Sequence, residues 1–170
     1  MSARILLPVK AHIKKYLTVQ FGPEMAISDI GTIPMLLFLM LEKHKKADPG
    51  VVKPNQRLID DKKYFGYKVY IGDKYQESRG LYLSREKIIR FNESIDNMMR
   101  EDMFRFCQSP GENNDHVVDY NINRFREFYG IWEDELPFDN LKRWYYRERI
   151  RLEEHLRVEK RYEPQMELIF

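Results

Sequence analysis

Apolar residues near the N-terminus recur at the spacing of helices. Helical spacing relates five apolar residues, Val9, Ile13, Tyr16, Leu17 and Phe21, and lysines occupy other faces, so a first amphipathic helix is predicted to end at Gly22-Pro23. A second helix is predicted over residues 34–45, with its proline in the first turn, where a missing backbone N–H is tolerated.

Between residues 65 and 71 the apolar spacing changes to every second residue, which is typical of a half-buried strand. Leu81 and Leu83 repeat this alternation, and turn-forming residues that include glycine lie between the two stretches. The simplest topology that this pattern predicts is a β-hairpin joined by a long loop.

A long amphipathic helix is predicted after the hairpin. Ser84 is placed to cap it, and an apolar stripe runs from Ile88 to Phe106 at helical spacing. The segment 109–115 is rich in turn-forming residues and is the best candidate boundary in the chain. We therefore divide the chain into residues 1–109, with the first helices, the hairpin and the long core helix, and residues 110–170, which pack on them.

Residues 110–170 are predicted to contain two helices joined by an acidic connector. The first helix ends at Gly130, and the second begins near Phe138, just after Pro137. Between residues 142 and 151 the second helix has a single acid, Glu148, against five cations, Lys142, Arg143, Arg147, Arg149 and Arg151. The predicted fold class is a helix-dominated α+β single domain with one β-hairpin and a C-terminal helix-turn-helix-like helix pair.

This helix pair resembles helix-turn-helix modules in general, and the resemblance implies that the second helix binds double-stranded DNA. Cations neutralise phosphates, while arginine and asparagine read base edges in the major groove. The usual docking puts Asn140, Arg143, Trp144 and Arg147 nearest the bases, and Lys142, Arg149 and Arg151 nearest the backbone. The connector is longer than the usual three or four residues, and its acids at 133–135 would repel phosphate.

These features predict a non-catalytic DNA-binding protein, such as a transcriptional or mobile-element regulator. The small size of the chain and its lack of a catalytic signature fit a phage or mobile-element origin. The tail of the basic helix offers a surface for a second copy, and a homodimer would suit a two-fold DNA reader.

Three other interpretations of the same residues stay open. The basic helix is alternatively a solvated surface whose arginines pair with neighbouring glutamates. A structural or adaptor protein would use the aromatic and methionine residues as contact surfaces for other proteins. A Mg²⁺-dependent nuclease would use Asp60, Asp61 and Lys63, since carboxylates hold the metal ion while a lysine orients the attacking water.

Composition and charge limit the classes of function that the sequence allows. The formal net charge of +2 does not by itself attract polyanions, so such attraction depends on how the charges are distributed. The single cysteine, Cys107, excludes an intramolecular disulfide and fits the cytoplasm. The sequence contains no His or Cys spacing typical of a zinc site, no phosphate-binding loop and no nucleophile elbow. It also contains no apolar run long enough to span a membrane. We predict no cofactor, bound metal, catalytic residue, membrane contact or small-molecule substrate.

Overall fold

Six helices and three strands make up the described part of the protein, which in this computed structural model comprises residues 2–43, 63–108 and 115–161, the side chains of residues 115–116 and 156–161 excepted. In chain order the elements are β1 (Ala3–Val9), α1 (Ala11–Phe21), β2 (Glu24–Ala26), α2 (Thr32–Met40), β3 (Phe65–Ile71), α3 (Asp73–Arg79), α4 (Arg85–Cys107), α5 (Asp115–Tyr129) and α6 (Phe138–Arg161). The predicted helix-dominated α+β class is confirmed.

The three described strands form one sheet of order β1-β3-β2, so β3, which comes last of the three in sequence, is the central strand. β1 and β3 are antiparallel, with Ala3 opposite Ile71, and β2 runs parallel to β3. Tyr67, Val69 and Ile71 are buried, which confirms the alternation predicted for β3. Pro8 lacks an N–H to donate and lies on an edge strand, where sheets tolerate proline.

The predicted β-hairpin between residues 65–71 and 81–83 is wrong. The polar segment between the two stretches forms α3, and Tyr82 makes an isolated antiparallel bridge to Glu42. Gly80 follows α3 with a φ of +85°, and a Cβ atom at this position would lie 2.5 Å from the carbonyl oxygen of Glu42. The glycine read as a turn signal therefore ends a helix, and β3 pairs with the N-terminal strand instead.

Elements near the N-terminus differ from the prediction in their boundaries. Val9, predicted in the first helix, ends β1, whereas α1 ends before Gly22 as predicted. α2 has Pro34 in its first turn, as predicted, but ends at Met40. It ends early because the chain turns extended and Glu42 joins the bridge described above.

α4 is the central helix of the core. Its predicted cap is confirmed, since the hydroxyl oxygen of Ser84 accepts a hydrogen bond from the backbone N–H of Lys87 at 3.3 Å. Most of the predicted apolar stripe is buried from Ile88 to Met103, and Phe106 is partly exposed at the end of the helix. The helix therefore forms as its periodicity indicates.

A buried asparagine joins α4 to the end of β1. The side-chain oxygen of Asn92 accepts a hydrogen bond from the backbone N–H of Lys10 at 2.9 Å, and its nitrogen donates to the carbonyls of Pro8 and Ile88 at 3.0 and 2.8 Å. Unpaired polar groups would be costly at this depth. These bonds hold the start of α1 against α4.

α5 and α6 both pack on α4 and on each other. α6 buries Leu141 and Tyr145 in the core, whereas Leu152, two turns further on, is 37% exposed. Residues 151–155 are all exposed, so the burial of α6 does not extend to this part of the helix. We call residues 138–147 the inner segment of α6 and residues 148–155 its outer segment.

One cluster of buried apolar side chains includes members from both residues 1–109 and residues 110–170. Aromatic rings lie at this junction: the ring centroids of Tyr16 and Tyr129 are 5.1 Å apart, and those of Phe104 and Tyr145 are 5.0 Å apart. Across the described ranges, no helix combines the length and the apolar character needed to traverse a lipid bilayer.

Candidate functional site

Three polar side chains form an exposed stripe on the inner segment of α6. Asn140, Arg143 and Arg147 are exposed, and at about 100° per residue they fall within a sector of about 60° on the helix. Leu141 and Tyr145 are buried on the opposite side. Burial of these apolar residues therefore directs the three polar residues, which we call the α6 stripe, to solvent.

The cations of the inner segment differ in their partners. Nζ of Lys142 lies 2.7 Å from Oδ2 of Asp119 on α5. Arg143 and Arg147 form no ion pair with a residue that the structure describes, and the Nε–H of Arg147 donates to the carbonyl of Arg143 at 3.4 Å. The two guanidinium groups of the α6 stripe are therefore available to an external anion.

The cations of the outer segment are paired within the helix. Nε of Arg149 lies 3.1 Å from Oε1 of Glu153, and Arg151 is bonded to both carboxylate oxygens of Glu148. The interpretation that arginines of this helix pair with neighbouring glutamates thus describes the outer segment. Such pairs reduce the local field that a polyanion would meet.

Trp144, predicted to lie near bases, is partly buried between α6 and α4. Its ring packs edge-on against Phe104, with 6.4 Å between the ring centroids. This contact helps to hold the inner segment in place. Trp144 consequently presents only part of its ring at the surface.

The acidic connector between α5 and α6 uses two of its three acids internally. Oε1 of Glu133 accepts a hydrogen bond from the backbone N–H of Phe138 at 3.0 Å, at the start of α6, and Glu133 also pairs with Arg126. Oε2 of Glu135 lies 2.6 Å from Nζ of Lys15 on α1. These bonds neutralise much of the negative charge expected to repel phosphate, while the acid between them stays exposed.

An open cleft of about 1000 Å³ lies between α4 and the inner segment of α6. Its walls include the α6 stripe and, across from it, Asn97 and Arg100 of α4. Four cationic side chains and two carboxylates line it, so positive charge is in excess. The cleft gathers hydrogen-bond donors from two helices, an arrangement that suits an anionic ligand.

A hydrogen-bonded chain fixes the α4 wall of this cleft. Nε of Arg100 donates to Oδ2 of Asp96 at 2.8 Å, and Nε2 of the buried His12 lies 3.0 Å from Oδ1 of the same carboxylate. Burial raises the pKa of the Asp96 carboxyl, but the hydrogen bonds from His12 and Arg100 outweigh burial and hold that pKa below its ordinary value. Asp96 therefore stays ionised and holds Arg100 in place.

The sequence does not single out Arg100, because the apolar periodicity of α4 indicates a core helix. One local signal was present: Asp96 and Arg100 are four residues apart on the non-apolar side of that helix. Their position opposite the α6 stripe depends on the packing of α4 against α6, which periodicity does not predict.

The other residues considered for a chemical role are Cys107 and those of the nuclease interpretation. Burial raises the pKa of the Cys107 thiol to about 12, as expected for an unreactive cysteine. Of the residues in the nuclease interpretation, Lys63 is exposed just before β3, and Asp60 and Asp61 lie outside the described residues. In the part of the chain that the structure describes, no three metal-ligating side chains come together.

Aromatic side chains on α5 and the connector form a second surface feature. Tyr120, Phe128 and Trp132 are 62%, 68% and 67% exposed. The guanidinium group of Arg124 lies 5.7 Å from the ring centroid of Tyr120, and Nζ of Lys15 lies 5.4 Å from that of Trp132. Isolated exposed rings are common, but three on one helix and its connector are candidates for contact with another protein.

Comparison with models of protein families, with curated proteins and with solved structures found no match to this chain.

Proposed function

We propose that this protein is a non-catalytic DNA-binding protein, acting in the cytoplasm as a transcriptional or mobile-element regulator, and that the α6 stripe contacts duplex DNA. One observation carries this proposal. Arg143 and Arg147 are exposed one helical turn apart on a firmly packed helix, without a carboxylate partner among the described residues.

The chemistry of the stripe suits DNA. An α-helix fits the major groove, where arginine donates two hydrogen bonds to guanine and asparagine pairs with adenine. Asn140 and Arg143 lie in the first turns of α6, and this is the part of a second helix that meets base edges in helix-turn-helix docking. The same arginines bind phosphate oxygens on a duplex of arbitrary sequence.

The other predicted contacts have smaller parts in this proposal. Lys142, Arg149 and Arg151 lie nearer the DNA backbone, but each already has a carboxylate partner. A phosphate would have to compete with that carboxylate, so each contributes less than a free arginine. We therefore rank Arg143 and Arg147 first among the contacts.

The test is binding of a labelled mixed-sequence duplex, measured by fluorescence anisotropy over a salt series. Changing Arg143→Gln or Arg147→Gln should each weaken binding about tenfold and lower the slope of log affinity against log salt by about one. Arg90→Gln is the control, because it removes the same charge from an exposed, ion-paired arginine outside the proposed DNA contacts and should change affinity less than twofold.

Three outcomes are informative. Loss of binding in the Arg143 and Arg147 variants with unchanged melting temperatures would support the proposal. Equal losses in all three variants would mean that only net charge matters. Absence of salt-dependent binding by the unaltered protein would overturn the proposal.

A second candidate is a structural or adaptor protein, which the exposed rings of Tyr120, Phe128 and Trp132 favour. Such a protein would associate with itself or with another protein through apolar contacts, which salt does not weaken. Salt-insensitive association in sedimentation experiments, together with no retention of DNA, would favour this candidate over the first.

A further inference from the structure

We infer that Arg100 is a phosphate contact on the opposite wall of the cleft, and that Asp96 and His12 are positioning residues that hold it there. This inference rests on the proposed DNA-binding function and extends it to a second helix. It assigns the cleft between α4 and α6 to a phosphodiester group of the bound strand.

The first support is the confinement of Arg100. Its side chain is 15% exposed, whereas that of Arg90, on the same helix, is 67% exposed. Arg90 pairs with Glu86 on the open surface, as many solvated arginines do. Arg100 instead lies on the wall of the cleft with its side chain mostly shielded from bulk water, which strengthens its attraction for an anion that reaches it.

The second support is the hydrogen-bond geometry. The bond to Asp96 uses the Nε–H of Arg100, and a guanidinium group has four further N–H donors on its two Nη atoms. A phosphate can accept two parallel bonds from such a group. The bond to Asp96 therefore orients Arg100 and leaves enough donors for a phosphate.

The third support is preorganisation. Because Nε2 of His12 lies 3.0 Å from the Asp96 carboxylate, that carboxylate is itself fixed, and α1 is tied to α4 through Asn92. Arg100 loses much of its rotamer freedom on folding, so binding a phosphate costs less conformational entropy than at a mobile arginine. A simple surface ion pair between Asp96 and Arg100 would form without the hydrogen bond from His12.

The fourth support is that cations lie on both walls of the cleft. Arg143 and Arg147 approach the cleft from α6 and Arg100 approaches it from α4. In helix-turn-helix docking, base contacts come from one helix while other elements grip the backbone and fix the register. Arg100 has the position of such a backbone contact.

The experiment is the same anisotropy titration with Arg100→Gln and its matched control Arg90→Gln. Arg100→Gln should weaken binding about fivefold and lower the salt slope, a smaller loss than at an unpaired arginine because Asp96 already partners Arg100, whereas Arg90→Gln should change neither by a measurable amount. An Arg100→Gln variant with the affinity and salt slope of the unaltered protein would overturn the inference and leave the proposed function standing. If the unaltered protein does not bind duplex at low salt, both fail.

The positioning part is tested with Asp96→Asn and Asp96→Ala, which remove the same charge. Asparagine keeps an oxygen that can accept the Nε–H bond of Arg100, and alanine does not. We expect the asparagine variant to bind DNA at least threefold more tightly than the alanine variant, and this difference should vanish when Arg100 is also changed to Gln. Equal binding by the two single variants, or a difference that persists without Arg100, would overturn the positioning role.

Discussion

The inner segment of α6 contains Arg143 and Arg147, and the outer segment contains Arg149 and Arg151. Both outer arginines have glutamate partners in the same helix, whereas neither inner arginine has an ion-pair partner in the described ranges. The residue types are the same, and their neighbours differ. Arg147 has Arg143 and Arg151 one turn away on either side, so local sequence offers it no carboxylate at that spacing.

Packing separates the two segments further. The inner segment is anchored by Leu141 and Tyr145, so its exposed side has a fixed direction. The outer segment has no comparable anchor among its described side chains, and its ion pairs stabilise the helix itself. A basic stretch therefore becomes a candidate binding surface where burial sets its orientation and where its arginines form no ion pairs with described residues.

The largest expected effect tests the packing side of this comparison. Leu141→Ala should lower the free energy of unfolding by about 3 kcal/mol, because it removes a fully buried side chain and leaves a cavity. Leu152→Ala, at a position that is 37% exposed, should cost less than about 1 kcal/mol. Urea denaturation would measure both. Equal losses would mean that the outer segment is also buried in solution.

A smaller expected effect concerns the stability contributed by two carboxylates, Asp96 near the inner segment and Glu153 in the outer segment. Because the folded-state pKa of Asp96 lies below its value in an unfolded chain, its interactions stabilise the fold above that unfolded value, about 4, and are lost as pH falls through the folded value. The melting temperature should therefore fall more steeply with acid in the unaltered protein than in an Asp96→Asn variant.

The control for the Asp96 change is Glu153→Gln in the outer segment. Glu153 is half exposed and pairs with a partly exposed arginine, so water screens the interaction. At neutral pH the variant should lower the melting temperature by less than Asp96→Asn does. An equal loss in the two variants would contradict the distinction between the segments.

The smallest expected effect comes from removing the glutamate partner of an arginine in the outer segment, which leaves that arginine unpaired like those of the inner segment. Glu148→Gln removes the partner of Arg151, which should raise affinity for duplex DNA about twofold to threefold and increase the salt slope. Glu77→Gln on α3 is the matched control for the change in net charge, since Glu77 is exposed and lies on a helix distant in sequence. An equal rise in both variants would point to net charge alone.

Local signals predicted much of the helical framework. The Ser84 cap, the stripe of α4, the glycine that ends α5 and the alternation of β3 each depend on residues close in sequence, and each is confirmed. The sheet was not predictable in this way. β3 pairs with a strand near the N-terminus, and the alternation of a strand does not say which other strand it will join.

The candidate site was likewise predictable only where it depends on residues close in sequence. Composition identified the cations of α6, but the pairing of Lys142 depends on Asp119 of another helix. The position of Arg100 opposite the α6 stripe likewise depends on how α4 meets α6. Spacing along one helix predicts its exposed side, whereas partners across helices follow from packing that no single pattern contains.

The order of strands in the sheet has a consequence for synthesis. β1 and β2 leave the ribosome before β3, yet each of them pairs only with β3 within the sheet. The early part of the nascent chain therefore waits without its partner in the sheet until β3 has cleared the exit tunnel. During that interval it exposes an apolar strand to which a chaperone can bind.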